Sequence, residues 1–220
     1  MYANILHTSY EGGILEDPWK TPEESMWLRT KSIEKASNKA DILELEFKNG
    51  DIIKINKKIL SPCKVLEKLN QLAGKHGIGR IDIVENRYVG IKSRGCYETP
   101  GGTIYHKAHK AMESITMDRE LLHLKEDLAN RYTRLIYNGY WFSPERESLQ
   151  KLINDSQNRV TGTVKIKILK GNVMVLGRKS PYSLYSEDLS TFETDSGDYD
   201  QRDAEGFIKV NSLRLRNKQK

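Results

Sequence analysis

The stretch Val84–Thr103, VENRYVGIKSRGCYETPGGT, gathers the carboxylates Glu85 and Glu98, the cations Arg87, Lys92 and Arg94, and the phenols Tyr88 and Tyr97. Carboxylates accept hydrogen bonds from an ammonium group, while Arg and Tyr donate to a carboxylate or phosphate. Such a set could clasp a zwitterion. The same residues serve equally well as an ion-pair network that packs a loop against a helix, and residue types alone do not choose between the two.

Three other constellations carry less. Gly74 and Gly79 in GKHGIGR have the GxxxxG spacing of a phosphate loop, but Arg80-Ile81 stand where Lys and Ser/Thr are needed. The polarity is also reversed, because a helix runs into a strand there, and phosphate loops run from strand into helix. These glycines read as a helix cap and a turn. His106 and His109 lie three apart on a helical pattern, yet neither they nor His123 belong to an HExxH motif. They read as surface or hydrogen-bonded histidines. Ser9 has His7 two residues before it but no GxSxG elbow around it. A nucleophilic role is not expected, and hydrogen bonding of the Ser9 hydroxyl to a ligand stays open.

The elements that must position these groups can be read from pattern and turn chemistry. Residues 1–40 are rich in turn signals (Gly12-Gly13, Asp17-Pro18, Thr21-Pro22) and form an irregular opening segment. Asp41–Phe47 alternates apolar and acidic residues, and Lys48-Asn49-Gly50-Asp51 then leads into Ile52–Ile55, which predicts a β-hairpin. Ser61-Pro62 opens a helix with Val65, Leu66, Leu69, Leu72 and Ala73 inward and Gly74 at its stop. Ile81–Val84 reads as a buried strand, followed by a loop holding Gly90, Gly95, Gly101 and Gly102. Thr103–Asn138 is helical in two pieces, the second capped by Thr116 and burying Leu121, Leu124, Leu128, Tyr132 and Leu135. Ser143-Pro144 starts another helix, and residues 161–178 form a second hairpin around Lys170-Gly171-Asn172. Hairpins mixed with helices, rather than alternating β and α, indicate an α+β fold of antiparallel sheet packed with several helices.

Composition bounds the function classes. The 220 residues hold 36 basic and 30 acidic side chains, a net charge of +6, and the cations are interleaved with acids rather than set in a stripe. That pattern argues against nucleic acid as a partner. Only the tail Leu213–Lys220 is basic without compensation, and it reads as a solvated terminus. No apolar run reaches the roughly 18 residues of a membrane span, and MYANILHTSYEGG lacks the features of a secretory signal. Two unpaired-looking cysteines, Cys63 and Cys96, suggest a reducing, cytoplasmic setting.

Longer strings add a resemblance. HTSYEGGILEDPW (7–19), AGKHGIGRIDIVENR (73–87) and KSRGCYETPGGT (92–103) resemble the argininosuccinate synthase family, as do MDRE (117–120), WFSPE (141–145), GRKSPYSLY (177–185) and DAEGFI (203–208). The similarity runs in order through the chain, with small departures such as Thr8 and Cys96. It covers only the C-terminal half of such enzymes, because no Ser-Gly-Gly-x-Asp-Thr-Ser nucleotide loop occurs. The resemblance implies that residues 1–220 form a synthetase and multimerisation domain, with 1–40 as its opening segment and 207–220 as its tail. It also implies a ligase of arginine biosynthesis that joins citrulline and aspartate while cleaving Mg-bound ATP to AMP and pyrophosphate. By position, Ser9, Glu85 and Tyr97 match the family's citrulline contacts. Partners so implied are citrulline, an N-terminal nucleotide-binding domain and further copies in a homotetramer. This part alone is expected to bind no ATP and to be inactive, and an assembly module without ligand binding is the alternative.

Overall fold

A computed structural model describes residues 1–190, 200 and 202–216. The chain forms two compact units, residues 1–182 and 183–220. In chain order the first unit holds β1 (Tyr2–Ala3), β2 (Thr8–Tyr10), β3 (Asp41–Lys48), β4 (Asp51–Ile55), β5 (Lys58–Ile59), α1 (Pro62–Lys75), β6 (Arg80–Asn86) and β7 (Lys92–Glu98). It continues with α2 (Pro100–Thr116), α3 (Arg119–Tyr137), α4 (Pro144–Ser156), β8 (Gly162–Leu169) and β9 (Asn172–Lys179). The strands make two antiparallel sheets, ordered β1-β2-β7-β6 and β5-β4-β3-β8-β9, so the fold is α+β as the sequence pattern indicates. The second unit holds α5 (Glu187–Ser190), α6 (Asp203–Asn211) and α7 (Leu213–Arg216). The basic tail therefore begins as a helical turn, and residues 217–220 lie outside the described residues.

Alternation builds the five-stranded sheet. Leu43, Leu45 and Phe47 of β3 and Val164, Ile166 and Ile168 of β8 are buried, while Glu44, Glu46 and Lys165 face outward and pair as Lys54–Glu46 (2.6 Å) and Lys165–Glu44 (3.4 Å). Asn49 and Gly50 both take positive φ, 50° and 87°, the geometry of a two-residue hairpin turn. Lys170 and Gly171 do the same at 41° and 78°, so the second turn is one residue shorter than the sequence pattern suggests. Val65 and Leu69 of α1 and Ile104, Ala108 and Met112 of α2 close this core from one side. Each large aliphatic side chain removed from water contributes roughly 1.5–3 kcal/mol.

Several local expectations are corrected. Ser61 sits extended before α1, but its hydroxyl makes no capping bond, and the helix start relies on Pro62. Thr116 closes α2, donating to the Met112 carbonyl at 2.9 Å, and Asp118 caps α3 by accepting from the Glu120 amide at 2.9 Å. Ser143 does cap α4, accepting from the Arg146 amide. The stop of α1 falls at Gly77, with φ 68°, where Gly77 N–H bonds the Gly74 carbonyl and Ile78 N–H bonds the Ala73 carbonyl, a Schellman arrangement. Gly74 serves another purpose: a Cβ there would lie 2.1 Å from the Arg29 carbonyl oxygen, so the opening segment crosses the helix only over a glycine.

β6 is not buried. It pairs only with β7, and Ile81, Ile83 and Val84 are 46%, 40% and 55% exposed. The expected glycine loop is instead the turn at Gly90, the strand β7 around Gly95, and the first turn of α2 at Gly101 and Gly102. α3 buries no residue fully: Leu121, Leu128, Tyr132 and Leu135 are half-buried, and Leu124 is exposed. It packs on α4, where Tyr132 donates to Gln150 at 2.5 Å.

Candidate functional site

The smaller sheet brings Ser9, Glu85 and Tyr97 together. Ser9 of β2 stands opposite Tyr97 of β7, and Glu85 of β6 stands opposite Ser93 of β7. Because side chains alternate along a strand, Ser93, Gly95 and Tyr97 share one face with Ser9 and Glu85. Gly95 makes the arrangement possible, since a Cβ there would lie 2.6 Å from the Tyr97 hydroxyl. The phenol lies over that glycine and donates to Glu85 Oε1 at 3.0 Å. Burial first, then the Glu85 carboxylate, pushes the Tyr97 pKa up to about 12, so the hydroxyl stays a donor throughout the neutral range. Ser9 is 6% exposed, and its hydroxyl makes no hydrogen bond among the described residues. Arg87 extends the face, donating to Glu11 Oε2 at 2.6 Å and Ser93 Oγ at 3.1 Å. The face thus offers an unpaired hydroxyl, a phenol and a carboxylate, the groups that bind ammonium and polar amide-like ends.

The opposite parity of the same strands does structural work. Glu98 is fully buried and accepts from Tyr10 Oη (2.5 Å), Thr30 Oγ1 (2.6 Å) and the amides of Leu28, Arg29 and Thr30 (2.9–3.2 Å). Arg94 holds Asp82 through two bonds, 2.8 and 2.6 Å, and donates to the carbonyls of Asp17 and Lys20. Arg80 grips Glu24 and Thr30 and stacks 4.8 Å from the Trp27 ring. Polar staples therefore hold the irregular opening segment onto the sheet, around a small cluster of Tyr10, Leu15, Cys96, Met26 and Trp27. Burial raises the Cys96 thiol pKa to about 11, with the Asp82 charge adding to it, which leaves an inert thiol. The chemistry-rich stretch divides by parity: its odd positions near 85–97 make an open face, and Asp82, Arg94 and Glu98 make a packing network. Sequence reading missed that Glu98 belongs to the second set, although the one-residue offset from Tyr97 carries the signal.

The Gly74–Arg80 loop spends its amides on the helix cap, so it does not fit a nucleotide phosphate. His109 bonds Gln157 at 2.8 Å, beside buried Glu113, which also holds Lys125 at 2.9 Å. A hollow of about 810 Å³ opens next to these groups, and none of Ser9, Glu85 and Tyr97 lines it.

Comparison with known proteins settles the family. Residues 1–218 match the model of the arginosuccinate synthase C-terminal domain. The chain is 63% identical to the argininosuccinate synthase of Psychrobacter sp. (strain PRwf-1) over 215 residues, 98% of this chain and 52% of that protein. It is also 63% identical to that of Nitrosococcus oceani over 217 residues, 98% of this chain and 54% of that protein. The chain belongs to the argininosuccinate synthase family. It spans about half the length of these relatives and corresponds to the C-terminal domain of the family. Both the Ser9–Glu85–Tyr97 face and the polar staples behind it lie inside the argininosuccinate synthase match. Among the described residues no helix is long and apolar enough to cross a membrane.

Proposed function

We propose that this chain forms one wall of the citrulline pocket, together with part of the oligomer interface, in an enzyme making argininosuccinate. The observation that carries the reading is the Tyr97–Glu85 hydrogen bond, at 3.0 Å, on the same sheet face as the unpaired Ser9 hydroxyl. Glu85 accepts from the α-ammonium of citrulline, and the Ser9 and Tyr97 hydroxyls bond its polar ends. In the reaction the ureido oxygen attacks the α-phosphate of Mg-bound ATP, forming a citrullyl-adenylate and releasing pyrophosphate. The aspartate amine then displaces AMP. An N-terminal nucleotide-binding domain supplies the ATP loop, the aspartate contacts and the rest of the citrulline contacts. Wall residues here bind and orient, and orientation alone accounts for much of the rate of such transfers. The setting is cytoplasmic, the assembly a homotetramer, and neither nucleic acid nor membrane is a partner.

Calorimetric titration with citrulline tests the pocket: saturable heat that Glu85→Ala abolishes supports it. The 220-residue chain by itself releases no AMP from citrulline, aspartate and ATP; measurable release would refute the division of labour. A second reading, assembly without ligand binding, draws on the exposed apolar side chains Ile81, Ile83, Val84, Val89 and Ile91 of the β6–β7 hairpin. No heat at millimolar citrulline would leave that reading alone.

A further inference from the structure

A second polar feature lies where the two sheets' elements meet around α2. Thr103, Lys107, Lys110 and Ser114 fall at i, i+4, i+7 and i+11, one stripe along that helix. The stripe forms one wall of a groove of about 770 Å³, and Arg178 and Val175 of β9 and Ile81 of β6 line it with them. Cations thus face the groove from a helix and from a strand. Close ion pairs do little to compensate their charge. Lys107 and Arg178 have no ion pair among the described residues, and Lys110 has only Glu126 at 3.8 Å, with both side chains more than half exposed. Lys54, Arg80, Arg87 and Arg94, by contrast, each find a carboxylate at 2.6–2.7 Å. Two unpaired cations and one weakly paired one beside the apolar walls Ile81 and Val175 produce a positive potential that water screens less than on a convex surface.

We propose that the groove between α2 and β9 is a binding site for a small, multiply charged phosphate anion, held by Lys107, Lys110 and Arg178. Two lysines of a helix and an arginine of a strand lining one groove suit a compact anion carrying two or more charges, for which Arg offers a planar fork and each Lys a point charge. The Ser114 and Thr103 hydroxyls stand at the groove with oxygens already donating to the Ala111 and Thr99 carbonyls, so they contribute little to an anion. The cations carry the recognition. His106 also lines the groove, and it reports on the potential there. Burial lowers its pKa first, then the charges of Lys110 and His109 on its own helix and Lys125 on α3, against a raising effect of Glu113. An anion between Lys107 and Lys110 offsets that positive field and moves the His106 midpoint up.

The proposal is independent of the citrulline reading and is tested with inorganic pyrophosphate on the 220-residue chain. Calorimetry should give saturable binding that weakens as salt is raised. Lys107→Gln combined with Arg178→Gln should weaken it roughly tenfold or more, with an unchanged far-UV spectrum because both side chains are exposed. The His106 resonance, assigned by its loss in His106→Gln, should titrate at higher pH with pyrophosphate bound. Absent heat at millimolar pyrophosphate, affinity equal in the double variant, or an unmoved His106 midpoint would each overturn the site. Binding of a polyglutamate peptide with none of pyrophosphate would also overturn it, in favour of an acidic polypeptide.

Discussion

Glu98 shows how much one side chain can organise. Its carboxylate satisfies three consecutive amides and two hydroxyls while shielded from water, so removing it strands several buried donors at once. Glu98→Ala should cost roughly 3–5 kcal/mol, read as a lower denaturant midpoint with the slope nearly kept. Limited proteolysis of the variant should cut first in residues 17–35, which Glu98, Arg94 and Arg80 fasten. Tyr97, one residue away and on the other face, should behave differently. Tyr97→Phe removes a single half-exposed donor, so on the proposed pocket reading calorimetry should show weaker citrulline binding with stability nearly kept. The sequence presents Glu85 and Glu98 as equivalent carboxylates of one cluster. What separates them is strand parity, which becomes visible once β7 is known to run from Lys92 to Glu98.

Among the elements, α1 shows two glycines in unlike roles. Gly77 supplies the left-handed residue that ends the helix, whereas Gly74 stays helical and is needed because Arg29 crosses above it. Gly74→Ala should therefore destabilise by about 1–3 kcal/mol despite the better helix propensity of alanine. Gly206, inside α6 with nothing within 4 Å of a Cβ, makes the contrast: Gly206→Ala should raise helix content by circular dichroism, a gain of about 0.5–1 kcal/mol. An equal loss in both variants would remove the argument from the Arg29 crossing. The hairpins were legible because Asn49-Gly50 and Lys170-Gly171 carry their turn geometry locally. The buried face expected for α3 was not, because periodicity places Leu121, Leu124 and Leu128 on one side without saying whether anything covers it.

For the whole molecule, pairs that join distant parts of the chain make its stability acid-sensitive. Asp41 has its pKa lowered by Lys75 and then His76, and Asp82 has its own lowered by Arg94. A carboxylate whose folded pKa is depressed adds stability in full above its unfolded value, about 3.9, and loses it as pH falls through the folded value. Thermal midpoints should therefore hold near neutral pH and decline below about pH 4. Arg94→Gln, which releases Asp82 and the carbonyls of Asp17 and Lys20, should lower the neutral midpoint and make the acid decline shallower. An unchanged acid slope would show that the Asp82–Arg94 pair does not couple folding to protonation.

The amino-acid order by itself settles what depends on a few neighbouring residues. The two tight turns, the starts of α1 and α4, the α+β mix and the family strings all follow from local backbone preference, short periodicity or direct identity. Tertiary structure decides what depends on residues far apart. It makes β6 an edge strand, turns Glu98 inward to receive residues 28–30, lays Tyr97 across Gly95 onto Glu85, and brings Arg178 and Lys107 to one groove. The reason is physical: a side chain's burial and partners are properties of whatever packs against it, and that neighbour lies from a dozen to many tens of residues away along the chain.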